Sequence, residues 1–141
     1  VDRYPGAKGY LKAHLHLGVA RLEMKQAERA LAPLKYYVNA AGKTPDGVIG
    51  RLELGRAYLA AGKKHEALLT AMELDRLTKL KSLGARRADA LVFKSRALMA
   101  LNRDSEARLA LDAASKLASE PGAELATRGR TAETDLELKL R

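Results

Sequence analysis

Three segments of this chain align with one another, and each places a small residue 12 residues before an alanine. The small residues are Gly18, Gly55 and Ser95, and their alanines are Ala30, Ala67 and Ala107. The segments recur at intervals of 37 and then 40 residues. A sequence period between about 20 and 50 residues is typical of stacked arrays of short structural units. The spacing therefore predicts a repeat protein and argues against a single closed core.

The apolar residues predict that the repeating units are helical. Hydrophobic residues make up 47% of the chain but aromatic residues only 4%, so that Leu and Ala carry most of the apolar content. Both are strong helix formers, and no segment alternates apolar and polar residues as a half-buried strand does. We therefore expect an all-α fold.

Turn and capping residues divide the chain into seven predicted helices. They are expected at about 7–23, 26–41, 45–61, 64–82, 86–101, 105–118 and 119–140. Thr44-Pro45-Asp46 combines a capping hydroxyl, a proline suited to the first helical position and an acid at the positive end of the helix dipole. Gly42, Gly62 and Gly84 are expected to end helices. Short connections predict antiparallel neighbours, which gives three helix pairs followed by one more helix.

The small residues predict where the helices approach one another. Gly18 and Gly55 lie near the middle of predicted helices, where glycine costs up to about 1 kcal/mol relative to alanine. A destabilising glycine at the same position of two repeats indicates that neighbouring backbones approach closely there. The alanines Ala30, Ala67 and Ala107 supply the matching small surfaces on the partner helices.

Composition excludes several classes of function. The chain has no cysteine, which excludes a disulfide framework, a thiolate metal site and a cysteine nucleophile. It shows no run of about 18 apolar residues, so we expect no membrane span. Its 26 basic and 17 acidic residues give a net charge of +9, which favours an acidic partner.

The repeating segments resemble the tetratricopeptide repeat (TPR), whose pattern runs Leu-Gly, an aromatic residue, Gly and Ala. The second repeat matches best, with Leu54-Gly55, Tyr58, Gly62 and Ala67. The first repeat has Arg21 in place of the aromatic residue and Lys25 in place of the turn glycine. The third has Leu98 and Asn102 at those positions. The resemblance covers about residues 10–118, in units longer than the family's usual 34 residues.

The resemblance implies a single TPR-like domain over residues 1–141, an α-solenoid of three antiparallel helix pairs with a C-terminal capping helix. The repeats are expected at about 7–42, 44–83 and 85–118, and the capping helix at about 119–140. Five residues of that helix fall along one side and are expected to cover the third repeat: Leu125, Gly129, Ala132, Leu136 and Leu140. Alternatively, the helix continues into further repeats or pairs with another copy.

In this family the first helix of each pair lines a concave groove that takes a peptide or helix of a partner protein. Transferring the pattern gives the expected groove residues: Lys12, Leu15, Val19, Leu22, Ile49, Leu52, Arg56, Leu59, Asp89, Val92, Arg96 and Met99. Arg56 and Arg96 occupy equivalent positions, so we expect both in one cavity, where two guanidinium groups can bind a carboxylate. The alternative is that they pair with neighbours such as Glu53 or Asp89. Since the groove lacks the family's Lys/Asn clamp, binding of chaperone C-termini is not expected.

No residue pattern predicts catalysis, a cofactor or a metal. His14 and His16 diverge by about 200° around a helix and cannot share a metal ion. A basic cluster at Lys79, Lys81 and Arg86-Arg87 lacks the interleaved aromatic residues that favour nucleic-acid binding. The sequence therefore predicts a non-catalytic scaffold for protein–protein interaction. A module for nucleic acid or another polyanion, and a self-associating assembly domain, remain the alternatives.

The compartment is indicated only by a short junction. Tyr4-Pro5-Gly6-Ala7 resembles repeat junctions in TPR proteins of the bacterial cell envelope, including lipoproteins of outer-membrane assembly. The resemblance favours the bacterial periplasm or envelope over the cytoplasm.

Overall fold

The computed structural model describes the backbone of residues 7–141 and the side chains of residues 9–141, and within that range it is all-helical, as predicted. The helices are α1 (Ala7–Glu23), α2 (Ala27–Ala41), α3 (Pro45–Ala60), α4 (Lys64–Thr78), α5 (Arg87–Ala100), α6 (Asp104–Ala118) and α7 (Leu125–Lys139). A 3₁₀ segment, Lys81–Arg86, connects α4 to α5. These residues include no strand. The Tyr4-Pro5-Gly6 part of the proposed envelope junction lies outside the described residues.

Several helix ends follow the predicted local chemistry. The Thr44 hydroxyl accepts a hydrogen bond from the backbone N–H of Gly47 at 3.0 Å, which caps α3 as expected. Gly62 has a φ of 78°, so α3 ends where only a flexible residue fits without strain. Lys25 and Asn102 each have a φ of 60° in the turns after α1 and α5. Asparagine tolerates this conformation because its short polar side chain bonds locally.

Two predicted boundaries are wrong. The fourth helix ends at Thr78 and not near residue 82, because Leu80 adopts an extended conformation and Leu83 turns back into the core, where it is 6% exposed. Gly84 therefore does not end that helix. The seventh helix begins at Leu125 and not at residue 119, because Gly122 has a φ of 89°, which an α-helix cannot include.

The helices pack in sequence order. Each helix contacts the next one along the chain, and α1 also contacts α3, α3 contacts α5, and α5 contacts α7. The larger core lies among α3, α4, α5 and α6, and Leu138 of α7 joins it. A smaller core lies among α1, α2 and α3 and contains Leu34 and Ala57.

The small residues allow close packing, as predicted, but their neighbours are side chains and not backbones. A methyl group at Gly18 would overlap Leu34 of α2, and one at Gly55 would overlap the ring of Phe93. The Gly55 contact thus joins α3 to α5 and not to α4. In the third segment, the Ser95 hydroxyl donates a hydrogen bond to the carbonyl of Ala107 at 2.9 Å.

The side of α7 that packs against the protein is the opposite of the one expected. Four residues face the interior: Thr127, Thr131, Thr134 and Leu138. The leucines expected to cover the third repeat are exposed instead, with Leu125 at 83%, Leu136 at 58% and Leu140 at 78%. Threonine can be buried here because its hydroxyl bonds within its own helix, as Thr131 does to the Thr127 carbonyl at 2.8 Å.

Candidate partner-binding cavity

A cavity of about 510 Å³ opens between α3, α5 and α7. It is lined by Arg56, Leu59, Ala60, Asp89, Val92, Phe93, Arg96, Arg130 and Glu133. Five of these are predicted groove residues: Arg56, Leu59, Asp89, Val92 and Arg96. The structure thus brings together predicted residues of the second and third repeats, and α7 adds two further charged side chains.

The floor of the cavity is apolar. Val92 and Phe93 on α5 are 3% and 4% exposed, and Leu59 on α3 is half-buried beside them. Phe93 reaches this position because Gly55 has no side chain to exclude its ring. The small residue found by the repeat pattern therefore shapes the floor of the cavity.

Arg56 and Arg96 lie at the rim of the cavity. Each lines the cavity, and each also pairs with a carboxylate. Arg56 donates through Nη1 to Glu53 on its own helix. Arg96 donates through Nη1 to Glu137 of α7 at 3.1 Å. Arg96 Nη2 also lies 4.0 Å from Glu133 Oε1. A guanidinium group has five N–H donors, so these pairs do not use all of them.

Asp89 has a structural position that the sequence does not reveal. It is 6% exposed, and its Oδ1 accepts hydrogen bonds from Arg130 Nη2 at 2.8 Å and from the Thr127 hydroxyl at 3.1 Å. Its Oδ2 lies 3.6 Å from Arg86 Nη1. Asp89 therefore ties α7 to α5 and holds the Arg130 guanidinium at the rim of the cavity.

The other predicted groove residues lie elsewhere. Leu52 and Met99 are 4% and 6% exposed in the larger core, and they do not line the cavity. They are buried because both belong to the core that α3 and α5 form with α4 and α6. The remaining five lie along α1 and α3 outside the cavity: Lys12 is exposed, and Leu15, Val19, Leu22 and Ile49 are half-buried.

Sequence reasoning missed Phe93, Arg130 and Glu133. Phe93 is the only phenylalanine of the chain and follows Val92 directly, a signal that could have marked it. Arg130 and Glu133 could not have been found by the repeat pattern, because their helix lies beyond the aligned segments.

Many of the basic side chains already face carboxylates. Asp75 accepts hydrogen bonds from Lys94 Nζ at 2.7 Å and from Arg87 Nη1 at 3.0 Å. Burial by itself would raise the pKa of the Asp75 carboxyl, but the bonds and charges of Lys94 and Arg87 together hold that pKa below its ordinary value. Lys94 and Arg87 are thus both held within the protein by Asp75.

His14 packs among aromatic rings, and its Nε2 atom is buried without a hydrogen-bond partner among the described residues. The His14 ring packs between Tyr10 and Tyr36, with ring centroids 4.8 Å and 4.4 Å away, while His16 is exposed. Within residues 9–141, no three His, Cys, Asp or Glu side chains cluster as a metal site would require. No helix in the described part of the chain has the length and apolarity to cross a membrane.

Comparisons of this chain with protein-family models, with curated proteins and with solved structures gave no match.

Proposed function

We propose that this protein is a non-catalytic scaffold that binds a segment of a partner protein in the cavity between α3, α5 and α7. The bound segment carries an apolar side chain next to a carboxylate. One observation carries the proposal: the apolar side chains of Leu59, Val92 and Phe93 line the same cavity as Arg56 and Arg96.

The chemistry of the cavity matches such a segment. Burying one Leu or Phe side chain contributes about 1.5–3 kcal/mol, and a charge-assisted hydrogen bond is stronger than a neutral one. The existing pairs of Arg56 and Arg96 are partly exposed, and such pairs contribute only about 0–1 kcal/mol. A partner carboxylate can therefore add to them or replace them at little cost.

The proposed architecture is a TPR-type solenoid of three antiparallel helix pairs, with α7 as the helix that follows them. The packing of α1 on α3, α3 on α5 and α5 on α7 supports an open stack. Val19, Arg56 and Arg96 each follow the small residue of their repeat directly, so they occupy equivalent positions on α1, α3 and α5. A segment that extends from the cavity toward α1 would meet the half-buried Val19.

A selection experiment tests this function. A random peptide library displayed on phage is selected on the wild-type protein, and the recovered peptides are synthesised and titrated by calorimetry. We expect peptides that combine Leu or Phe with Asp or Glu, and we expect Arg56→Glu with Arg96→Glu to abolish their binding while helicity stays unchanged.

The matched control is Arg76→Glu with Arg103→Glu. Both residues are exposed, on α4 and at the start of α6, and neither lines the cavity. Each pair of substitutions lowers the net charge by 4, from +9 to +5. Equal loss of binding in both double variants would mean that net charge, and not the cavity, drives binding. Unchanged binding in the Arg56/Arg96 variant would remove the site assignment.

The polyanion alternative has less support. In the basic cluster, Arg87 pairs with Asp75 and Arg86 lies near Asp89, which leaves Lys79 and Lys81 as its exposed cations. A polyanion module predicts affinity for DNA or RNA that falls steeply with salt, because each neutralised phosphate releases counterions. A gel-shift series against salt distinguishes this function from peptide binding.

A further inference from the structure

The stack leaves an apolar face exposed on α1. This α1 face consists of Tyr10, Ala13, Leu17, Ala20 and Met24, which are exposed and recur at helical spacing. Leu17 is 42% exposed and Met24 is 65% exposed. Exposed large apolar residues along one helix are informative because a single chain buries such a stripe when it can.

The repeat alignment identifies the surface of α3 that is equivalent to the α1 face. Counted from the small residue of each repeat, Ala13, Leu17 and Ala20 correspond to Gly50, Leu54 and Ala57 of α3. On α3 those three positions are buried, and they pack against α2. In particular, a methyl group at Gly50 would lie 2.7 Å from the ring of Tyr37 on α2. The equivalent surface within the protein is therefore covered by an apolar helix.

A second apolar face lies on α7. This α7 face consists of Leu125, Gly129, Ala132, Leu136 and Leu140, all exposed. A methyl group added at Gly129 would meet nothing within 4 Å. The face points away from the threonine side that packs on α5 and α6, so no described residue of the same chain covers it.

The two faces complement each other in shape. The α1 face alternates large and small residues, with Leu17 between Ala13 and Ala20. The α7 face places the small pair Gly129 and Ala132 between Leu125 and Leu136. Leu17 of one copy can therefore pack at the small pair Gly129 and Ala132 of another, as a ridge packs into a groove.

We propose that copies of this chain associate head to tail, with the α7 face of one copy packed on the α1 face of the next. The contact repeats between copies the packing that α2 makes on α3 within one copy. Such a contact is heterologous, so it extends into chains or closes into rings. Because every copy carries a charge of +9, repulsion opposes association, and added salt strengthens it by screening.

Two substitutions on opposite ends test the proposal with the full chain. Leu17→Glu blocks the α1 face and Leu136→Glu blocks the α7 face, and both positions are exposed, so the fold should tolerate them. Leu109→Glu is the matched control, because Leu109 is 72% exposed on α6 and belongs to neither face. Circular dichroism confirms that each variant is folded. Molar mass is then measured by light scattering up to about 1 mM, at which even weak contacts populate a complex.

We expect the mass of the wild type and of Leu109→Glu to rise with concentration and with salt. Each end variant alone should stay monomeric. An equimolar mixture of the two end variants should form a dimer and nothing larger, because one intact α1 face meets one intact α7 face. The Arg56→Glu, Arg96→Glu variant should associate at least as readily as the wild type, because neither residue belongs to either face and its net charge is +5 instead of +9. Failure here and failure of the cavity proposal are therefore distinguishable.

Three results would overturn the proposal. A wild type that stays monomeric at every concentration and salt would show that the faces do not associate. A monomeric mixture of end variants would exclude the head-to-tail contact. Dimerisation of Leu17→Glu alone would indicate a contact between two α7 faces, and dimerisation of Leu136→Glu alone would indicate one between two α1 faces.

Discussion

Gly55 on α3 lies so close to the ring of Phe93 on α5 that any side chain at position 55 would overlap it. Glycine within a helix costs up to about 1 kcal/mol. Here that cost is offset by the burial of Phe93, which is 4% exposed and forms part of the cavity floor. The same relationship joins Gly18 to Leu34 in the first helix pair.

Gly55→Ala should therefore destabilise the protein by about 1–3 kcal/mol, the usual cost of overpacking a core. The free energy of unfolding is measured by urea denaturation. Gly129→Ala is the control, because Gly129 has open space around it within α7 and alanine is the better helix former. It should stabilise the protein by up to about 1 kcal/mol. Equal effects of the two substitutions would show that Phe93 does not constrain position 55.

Removing the Asp89 carboxylate should loosen α7 selectively. Asp89→Ala leaves Arg130 and Thr127 without their buried acceptor, which costs about 1–3 kcal/mol. Local opening then precedes global unfolding, so amide hydrogen exchange should quicken across residues 125–139 and stay unchanged in α1 and α2. Glu66→Ala, at an exposed carboxylate on α4, which does not contact α7, should leave exchange in α7 unaltered. Uniform acceleration along the chain would contradict this role.

Acid should weaken the protein through Asp75. Lys94 and Arg87 hold the pKa of this carboxyl below its ordinary value of 3.8, so its stabilising contribution is fully present above that value. The contribution is lost as the pH falls through the lower native pKa, because the folded state must then take up a proton that breaks both bonds. Asp75→Asn should be less stable than the wild type at pH 7, and the difference should shrink in acid. Urea denaturation across pH measures it, and a constant difference would contradict the assignment.

The local features were predictable because they depend on neighbouring residues in the chain. The hydroxyl of Thr44 caps α3, and Asn102 adopts a left-handed turn, for reasons visible within four residues. Gly18 and Gly55 could be identified because glycine, which destabilises the middle of a helix, recurs at the equivalent position of two repeats. The repeat alignment also gave Arg56 and Arg96 a common cavity, since equivalent positions on stacked helices face the same side.

The packing of α7 could not be predicted from apolarity. Its leucines form the expected stripe, yet threonines face the core because their hydroxyls bond to backbone carbonyls and to Asp89. The pairing of Asp89 with Arg130 spans 41 residues and follows no repeat period. No sequence signal therefore marks Arg130 and Glu133 as cavity residues. Leu52 and Met99 do not line the cavity, because neighbouring helices cover them.

The most direct test of the scaffold function is nuclear magnetic resonance of the methyl groups during titration with a peptide selected by the wild type. The proposal predicts that signals of Leu59 and Val92 shift and show contacts to the apolar side chain of the peptide, while the exposed Leu69 of α4 and Leu109 of α6 stay unchanged. Shifts confined to Leu69 and Leu109, or to the leucines of α7, would contradict the cavity as the binding site.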